Sequence, residues 1–142
     1  MKKDSARIIN GTWGEAWIDG ELVGSLYGLQ AKISLEKSTI KQCGSLMSGK
    51  KTVSAEGTGS VKSFKVDSAQ IKRMNVFKSG KIPTFTIVAK LADPDALGAE
   101  RVMLTGVTFD DLTLFDFEAG VEGKQEMPFS FEDYELLDLI EE

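Results

Sequence analysis

Residues 29–36 alternate without a break: Leu29, Ala31, Ile33 and Leu35 are apolar, while Gln30, Lys32, Ser34 and Glu36 are polar. Successive side chains of a β-strand point to opposite faces, so this pattern sets one face on a core and the other in water. An amphipathic helix does not fit it, because helical apolar positions recur every three to four residues. The same period of two returns over residues 84–87 and 126–132. It also runs from residue 52 onward, where Val53, Ala55, Gly57, Gly59 and Val61 oppose Thr52, Ser54, Glu56, Thr58, Ser60 and Lys62.

Turn chemistry divides the rest. Residues 13–18 read as a strand, followed by Asp19-Gly20, a hairpin signal because a type I′ turn needs positive φ at both central positions. The return strand runs over residues 22–36, bent or bulged where Gly24 and Gly28 interrupt it. Residues 37–51 carry neither period and are polar and basic, so they read as a long loop. Strand resumes over 52–66, with a parity switch to Phe64 and Val66 that implies a bulge at Lys62-Ser63. Residues 67–79 read as a helix, with Asp67 as its cap, Gln70 at the third helical position and Gly80 just past its end. Ile71, Met74 and Phe77 form its core-facing stripe. Further strands are expected over 85–91, 100–104, 107–114 and 124–134. Residues 92–98 form a turn-rich connector, Thr105-Gly106 joins two of the strands, 115–123 is an acidic connection and 136–140 a short apolar tail. The expected fold is mainly β (α+β), an antiparallel sandwich or barrel with one flanking α-helix. At 142 residues one domain is expected over 10–142, behind a flexible N-terminal arm of residues 1–9.

The chain offers little for catalysis. It has no histidine and one cysteine, Cys43. The commonest general base and metal ligand is therefore missing, and an internal disulfide or Cys-rich metal site is excluded. A net charge of −5 counts against binding nucleic acid through its phosphates. No apolar run approaches the ~20 residues of a membrane span. Asp4 follows Met1-Lys2-Lys3 where a leader would turn apolar, so the chain reads as soluble and made in the cytosol. Asp93, Asp95 and Glu100 sit near a calcium-loop spacing, but Leu97 and Leu104 occupy ligand positions. Adjacent acids on a strand point apart, so Asp110-Asp111, with Asp116 and Glu118, read as solvated charges. Gly57-Thr58-Gly59 lacks the Gly-Lys-Ser/Thr ending of a phosphate loop. Trp13 and Trp17 share a strand face and read as buried anchors, stacking on a sugar or base being the other reading. Cys43 has no histidine to activate it. The residues thus lead to a non-enzyme without cofactor or metal.

Three blocks carry a family likeness: Asn10-Gly11-Thr12-Trp13-Gly14-Glu15, Trp17 and Asp19-Gly20 with Gly28-Leu29-Gln30-Ala31; residues 91–102 continuing to Val107-Thr108-Phe109-Asp110-Asp111-Leu112; and Glu126, Pro128-Phe129-Ser130-Phe131, Tyr134 and Leu136-Leu137-Asp138. The chain resembles the tail tube proteins of PBSX-like phages and prophages, the XkdM-like group with contractile tails. The resemblance implies a fold close to the ring protein of type VI secretion, six subunits to a ring, and rings stacked into a tube inside a sheath. It implies as partners other copies of the chain, the tail sheath, baseplate or initiator proteins and a terminator. DNA would pass through the lumen without specific binding, and the subunit itself would bind no membrane. Its place would be the virion tail, after synthesis in the host cytoplasm.

The alternation fits that picture. Gln30, Lys32, Ser34, Glu36, Ser54, Glu56, Thr58 and Ser60 are expected on the lumen face, with Glu132 added by parity. Acids on such a wall would repel phosphates over a screening length of about 8 Å. Lys37, Ser38, Lys41, Gln42, Leu46, Met47, Lys50 and Lys51 are expected to reach an acidic surface on the next ring. Two other readings are a type VI-like ring protein and a monomeric β-barrel that binds a ligand through Trp13 and Trp17.

Overall fold

The computed structural model describes residues 8–96 and 98–140; all but the last two positions of the expected N-terminal arm lie outside them. Strands β1 (Gly14–Ile18) and β2 (Glu21–Leu22) form the first hairpin. Its turn is Asp19-Gly20, with φ of 49° and 84°, as the dipeptide demands. Asp19 is also tied across to Thr86. Its backbone N–H donates to the Thr86 carbonyl at 2.8 Å, and its Oδ1 accepts from the Thr86 N–H at 2.8 Å.

Strands β3 (Leu26–Ile40) and β4 (Gly49–Phe64) then form one long hairpin. Helix α1 (Ala69–Met74) follows, and β5 (Phe85–Leu91), β6 (Glu100–Phe109), β7 (Lys124–Phe131) and β8 (Asp133–Asp138) complete the order. All pairings are antiparallel, along the path β2-β1-β5-β6-β7-β4-β3, with β8 beside β6. β6 joins two wings: residues 101–105 pair with β8, and Thr108 and Phe109 pair with β7.

The core lies between the wings. Ile18 opposes Ile87, and both are fully buried. Phe85, Phe109, Phe129 and Phe131 make a continuous aromatic chain, with ring centroids 5.4, 6.2 and 6.2 Å apart in succession. Such pairs add about 0.5–1.5 kcal/mol each beyond the area they bury. Val61, Leu104, Val107, Met127 and Met74 fill the remaining space.

Five expectations are corrected. The 37–51 stretch is mostly strand: β3 continues to Ile40 and β4 starts at Gly49, which confines the turn to 41–48. Lys37, Ser38, Thr39, Gly49, Lys50 and Lys51 put polar or small residues on both faces, so this part of the hairpin carries no alternation. The expected 67–79 helix is a six-residue α-helix followed by a 3-10 turn over Asn75–Ser79. Asp67 Oδ1 accepts from the Ala69 N–H at 3.1 Å, and Gly80 closes the end at φ 87°. So short a helix seats Gln70 and Met74 in the interior; Ile71 is half-buried, and Phe77, out on the 3-10 turn, is 49% exposed.

The strands expected over 100–104 and 107–114 are one strand that ends at Phe109. Gly106, at φ 64°, makes a bulge in it, so the register jumps from Phe85↔Val107 to Ile87↔Leu104. Residues 124–134 are two strands broken at Glu132, whose N–H donates to the Thr105 carbonyl at 3.1 Å as the chain changes wing. The 136–140 tail is largely β8, an edge strand on β6 with Tyr134, Leu136 and Leu137 exposed.

Candidate functional site

The hairpin β3–β4 outreaches the body. β7 covers β4 only from Gly57 to Phe64, so the outer residues of β4 pair with β3 alone. At ~3.3 Å per residue, the projecting part of β4, residues 49–56, is about 25 Å long. Among the described residues β3 pairs with β4 alone, which leaves its other edge open.

The register assigns the two faces. Gln30 opposes Ser60, Lys32 opposes Thr58, Ser34 opposes Glu56 and Glu36 opposes Ser54. The eight residues expected on one polar face thus meet as four direct pairs, and Ser54 Oγ donates to Glu36 Oε2 at 2.9 Å. The face continues onto β7, where Ser130 opposes Thr58, Pro128 opposes Ser60 and Glu126 opposes Lys62. Ser130, Pro128 and Glu126 were absent from the sequence-derived set, although the alternation over 126–132 carries the signal. Glu132 stands apart at the break between β7 and β8, against Gly106.

The opposite face is the core face carried outward. Leu29 opposes Val61, Ala31 opposes Gly59, Ile33 opposes Gly57 and Leu35 opposes Ala55. Near the body the Phe129 and Phe131 rings lie over Gly59 and Gly57, their cross-strand partners. A Cβ at Gly57 would stand 2.5 Å from Phe131 Cε2, and one at Gly59 2.7 Å from Phe129 Cζ. These glycines therefore serve ring packing inside a strand, not a phosphate loop. Further out no described residue covers the face: Ile33, Leu35 and Val53 are 43%, 56% and 59% exposed. Val53 is the extra residue of a bulge between the pairs Glu36↔Ser54 and Lys37↔Thr52.

The eight residues expected in the 37–51 loop divide. Lys37 and Ser38 lie in β3, and Lys50 and Lys51 in β4, with Ser38 opposite Lys51. Lys41, Gln42, Leu46 and Met47 belong to the tip, where Leu46 and Met47 are almost wholly exposed. Gly44 turns the tip at φ 85°, and Ser45 Oγ donates to the Met47 carbonyl at 3.1 Å.

The other candidates have structural surroundings. Asp93 is buried, and its two oxygens accept from the N–H groups of Asn10 at 3.0 Å and Asp95 at 2.9 Å, fastening the start of the fold to the β5–β6 connector. No cluster of three or more acids or cysteines suited to a metal occurs among the described residues. Asp110 Oδ1 accepts from Ser130 Oγ at 3.0 Å. Trp13 sits in a 3-10 turn over Gly11–Trp13 rather than on β1, so it shares no strand with Trp17. Cys43 is exposed at the tip.

An open-edged ribbon with a bare apolar face is the geometry of a subunit, and the comparisons agree. The family described as phage tail tube protein matches residues 1–138. The chain belongs to that family. It is 33% identical over 139 residues to the phage-like element PBSX protein XkdM of Bacillus subtilis, a match covering 96% of this chain and 95% of XkdM. A solved Bacillus subtilis protein is 34% identical with a TM-score of 0.52, over 90% of this chain and 94% of that one. A chain of an extracellular contractile injection system, in its PVC sheath-tube complex in the extended state, superposes with a TM-score of 0.74 at 10% identity, over 97% of this chain and 100% of that one. That last likeness is one of fold. This tail tube protein is a structural subunit, mainly antiparallel β with one short helix.

Proposed function

We propose that the chain builds the tube of a contractile tail as stacked hexameric rings, with residues 10–142 as the assembling domain. The observation that carries this reading is the projecting ribbon: its apolar face continues the core face, yet Ile33, Leu35 and Val53 have no cover among the described residues. A two-stranded ribbon is marginal in water by itself, and an open strand edge invites pairing. A neighbouring copy in the ring supplies both a strand for β3 and a cover for the stripe. Rotational closure of such a head-to-tail contact gives a ring without free edges.

The polar face of β3, β4 and β7 then lines the lumen, with Gln30, Lys32, Ser34, Glu36, Ser54, Glu56, Thr58 and Ser60 toward the DNA that passes through. Its mix of hydroxyls and opposed charges offers phosphates no basic track, so DNA slides without specific binding. The other wing, β1, β2, β5 and β8, contacts the sheath, and the tube ends meet baseplate and terminator proteins. The protein is made in the host cytoplasm and resides in the virion tail, and it binds no membrane. Concentrated protein, alone or seeded with purified baseplates, is expected to give hollow sixfold rings and stacked tubes in negative-stain micrographs. Single unassociated chains under both conditions would contradict the reading.

A further inference from the structure

We propose that the basic outer end of the β3–β4 ribbon, residues 37–51 with the tip at its head, docks onto the acidic, aromatic 110–122 segment of a second copy in the adjoining ring, which rests on the stacked-tube reading and names the contact between rings. Residues 37–51 contain Lys37, Lys41, Lys50 and Lys51 and no acid. Residues 110–122 contain Asp110, Asp111, Asp116, Glu118 and Glu122 and no Lys or Arg. Both segments also expose large apolar groups. Leu46 and Met47 stand out from the tip, and Phe115 and Phe117, each 86% exposed, pack edge-to-face with centroids 6.3 Å apart.

One chain cannot bring these segments together. β7 starts at Lys124 opposite Phe64, and the Lys65 N–H donates to the Gly123 carbonyl at 2.8 Å. The acidic segment therefore sits at the body end of β4, and the tip at the other. The 16 residues of β4 between them span about 50 Å. Opposite charge at opposite ends of one subunit is head-to-tail complementarity, which propagates along an axis.

The acidic segment is also incompletely packed. A cavity of about 120 Å³ lies beneath it, lined by Gln70, Leu112, Leu114 and Met127 among others. The buried Gln70 Nε2 has no hydrogen-bond partner among the described residues, although Gln70 Oε1 accepts from Arg73 Nη1 at 3.2 Å. Glu122 pairs with Lys124 at 3.5 Å, whereas Asp111, Asp116 and Glu118 have no ion pair among the described residues. A docked tip sets lysines beside those carboxylates and the Met47 thioether against the aromatic edges, a favourable sulfur–ring contact.

Charge exchange tests the contact. Lys50→Glu with Lys51→Glu, and separately Asp116→Lys with Glu118→Lys, should each leave rings intact and shorten tubes at least about tenfold. Combining all four substitutions should restore tube length. Full-length tubes from either pair alone, or no recovery in the combination, would overturn the contact.

If the unaltered chain gives no rings at all, the tube reading fails and covalent trapping still decides the contact. Wild-type chain, with Cys43 alone, is mixed with a size-tagged Cys43→Ser, Ala119→Cys chain and a short bis-maleimide. Heterodimers well above the statistical share support docking, and a statistical mixture overturns it.

Discussion

Gly59→Val is expected to leave no folded chain at ordinary temperature. The added Cβ would overlap the Gln30 carbonyl oxygen and stand 3.0 Å from Ala31 Cα, both backbone atoms of the adjacent strand, besides 2.7 Å from Phe129 Cζ. Side chains can rotate away, but backbone in a paired ladder cannot move without separating β3 from β4. Phe129 is fully buried among the core aromatics, so its ring has nowhere to go. Overpacking alone costs about 1–3 kcal/mol. Adding broken pairing brings the loss to the scale of a whole domain's stability, about 5–15 kcal/mol.

Gly57→Ala is the useful contrast. The nearest atoms there all belong to the Phe131 ring, which is 8% exposed at the rim of the core. That ring can swing outward, so the cost stays near 1–3 kcal/mol. Urea unfolding followed by circular dichroism separates the two. A Gly59→Val chain as stable as wild type would mean that the register of β3 against β4 is misplaced.

Leu35→Asp combined with Val53→Asp is expected to abolish ring formation while leaving the subunit folded. Both positions are more than half exposed and lie beyond the reach of β7. Exposed substitutions of this kind shift stability by about 0.5 kcal/mol. In a ring the same side chains face a neighbour, and burying an unpaired carboxylate costs several kcal/mol. Since ~1.4 kcal/mol is a tenfold change in association, the loss exceeds about a hundredfold.

Thr58→Asp, on the opposite face and opposite Lys32, also adds a carboxylate to the ribbon and should assemble normally. Light scattering and thermal melting of the two variants read assembly and folding separately. Normal rings from the Leu35, Val53 variant would mean that the stripe is not an interface.

Much of this was legible in the sequence, and the gaps have common causes. Alternation fixed the opposed faces of β3 and β4, Asp19-Gly20 marked its own turn, and β5 lies at its expected bounds, Phe85–Leu91. These signals are local and arise from an apolar stripe on one strand face or a demanded φ. What failed depended on a partner strand. The far end of the hairpin, residues 37–39 and 49–51, has no apolar residue on either face, so its strands resembled loop. Gly106 resembled a turn because a bulge in a continuous strand also needs positive φ. At Glu132 the chain loses β4 as a partner and moves along β6 from Thr108 and Phe109 to residues 101–105, which leaves only a shift of parity in the chain. The segregation of lysines from acids was visible as composition, but only the register placed them at opposite ends of β4.

The central claim is that another copy of the chain completes the ribbon, and amide hydrogen exchange tests it most directly. In dilute single chains, amides of residues 33–40 and 51–55 should exchange quickly, because a two-stranded ribbon opens locally at little cost, while β5 and β6 stay protected. On assembly the ribbon amides should slow by about a hundredfold or more, including those on the open edge of β3, with little change in β5. Equal ribbon exchange rates in free and assembled protein would contradict the claim.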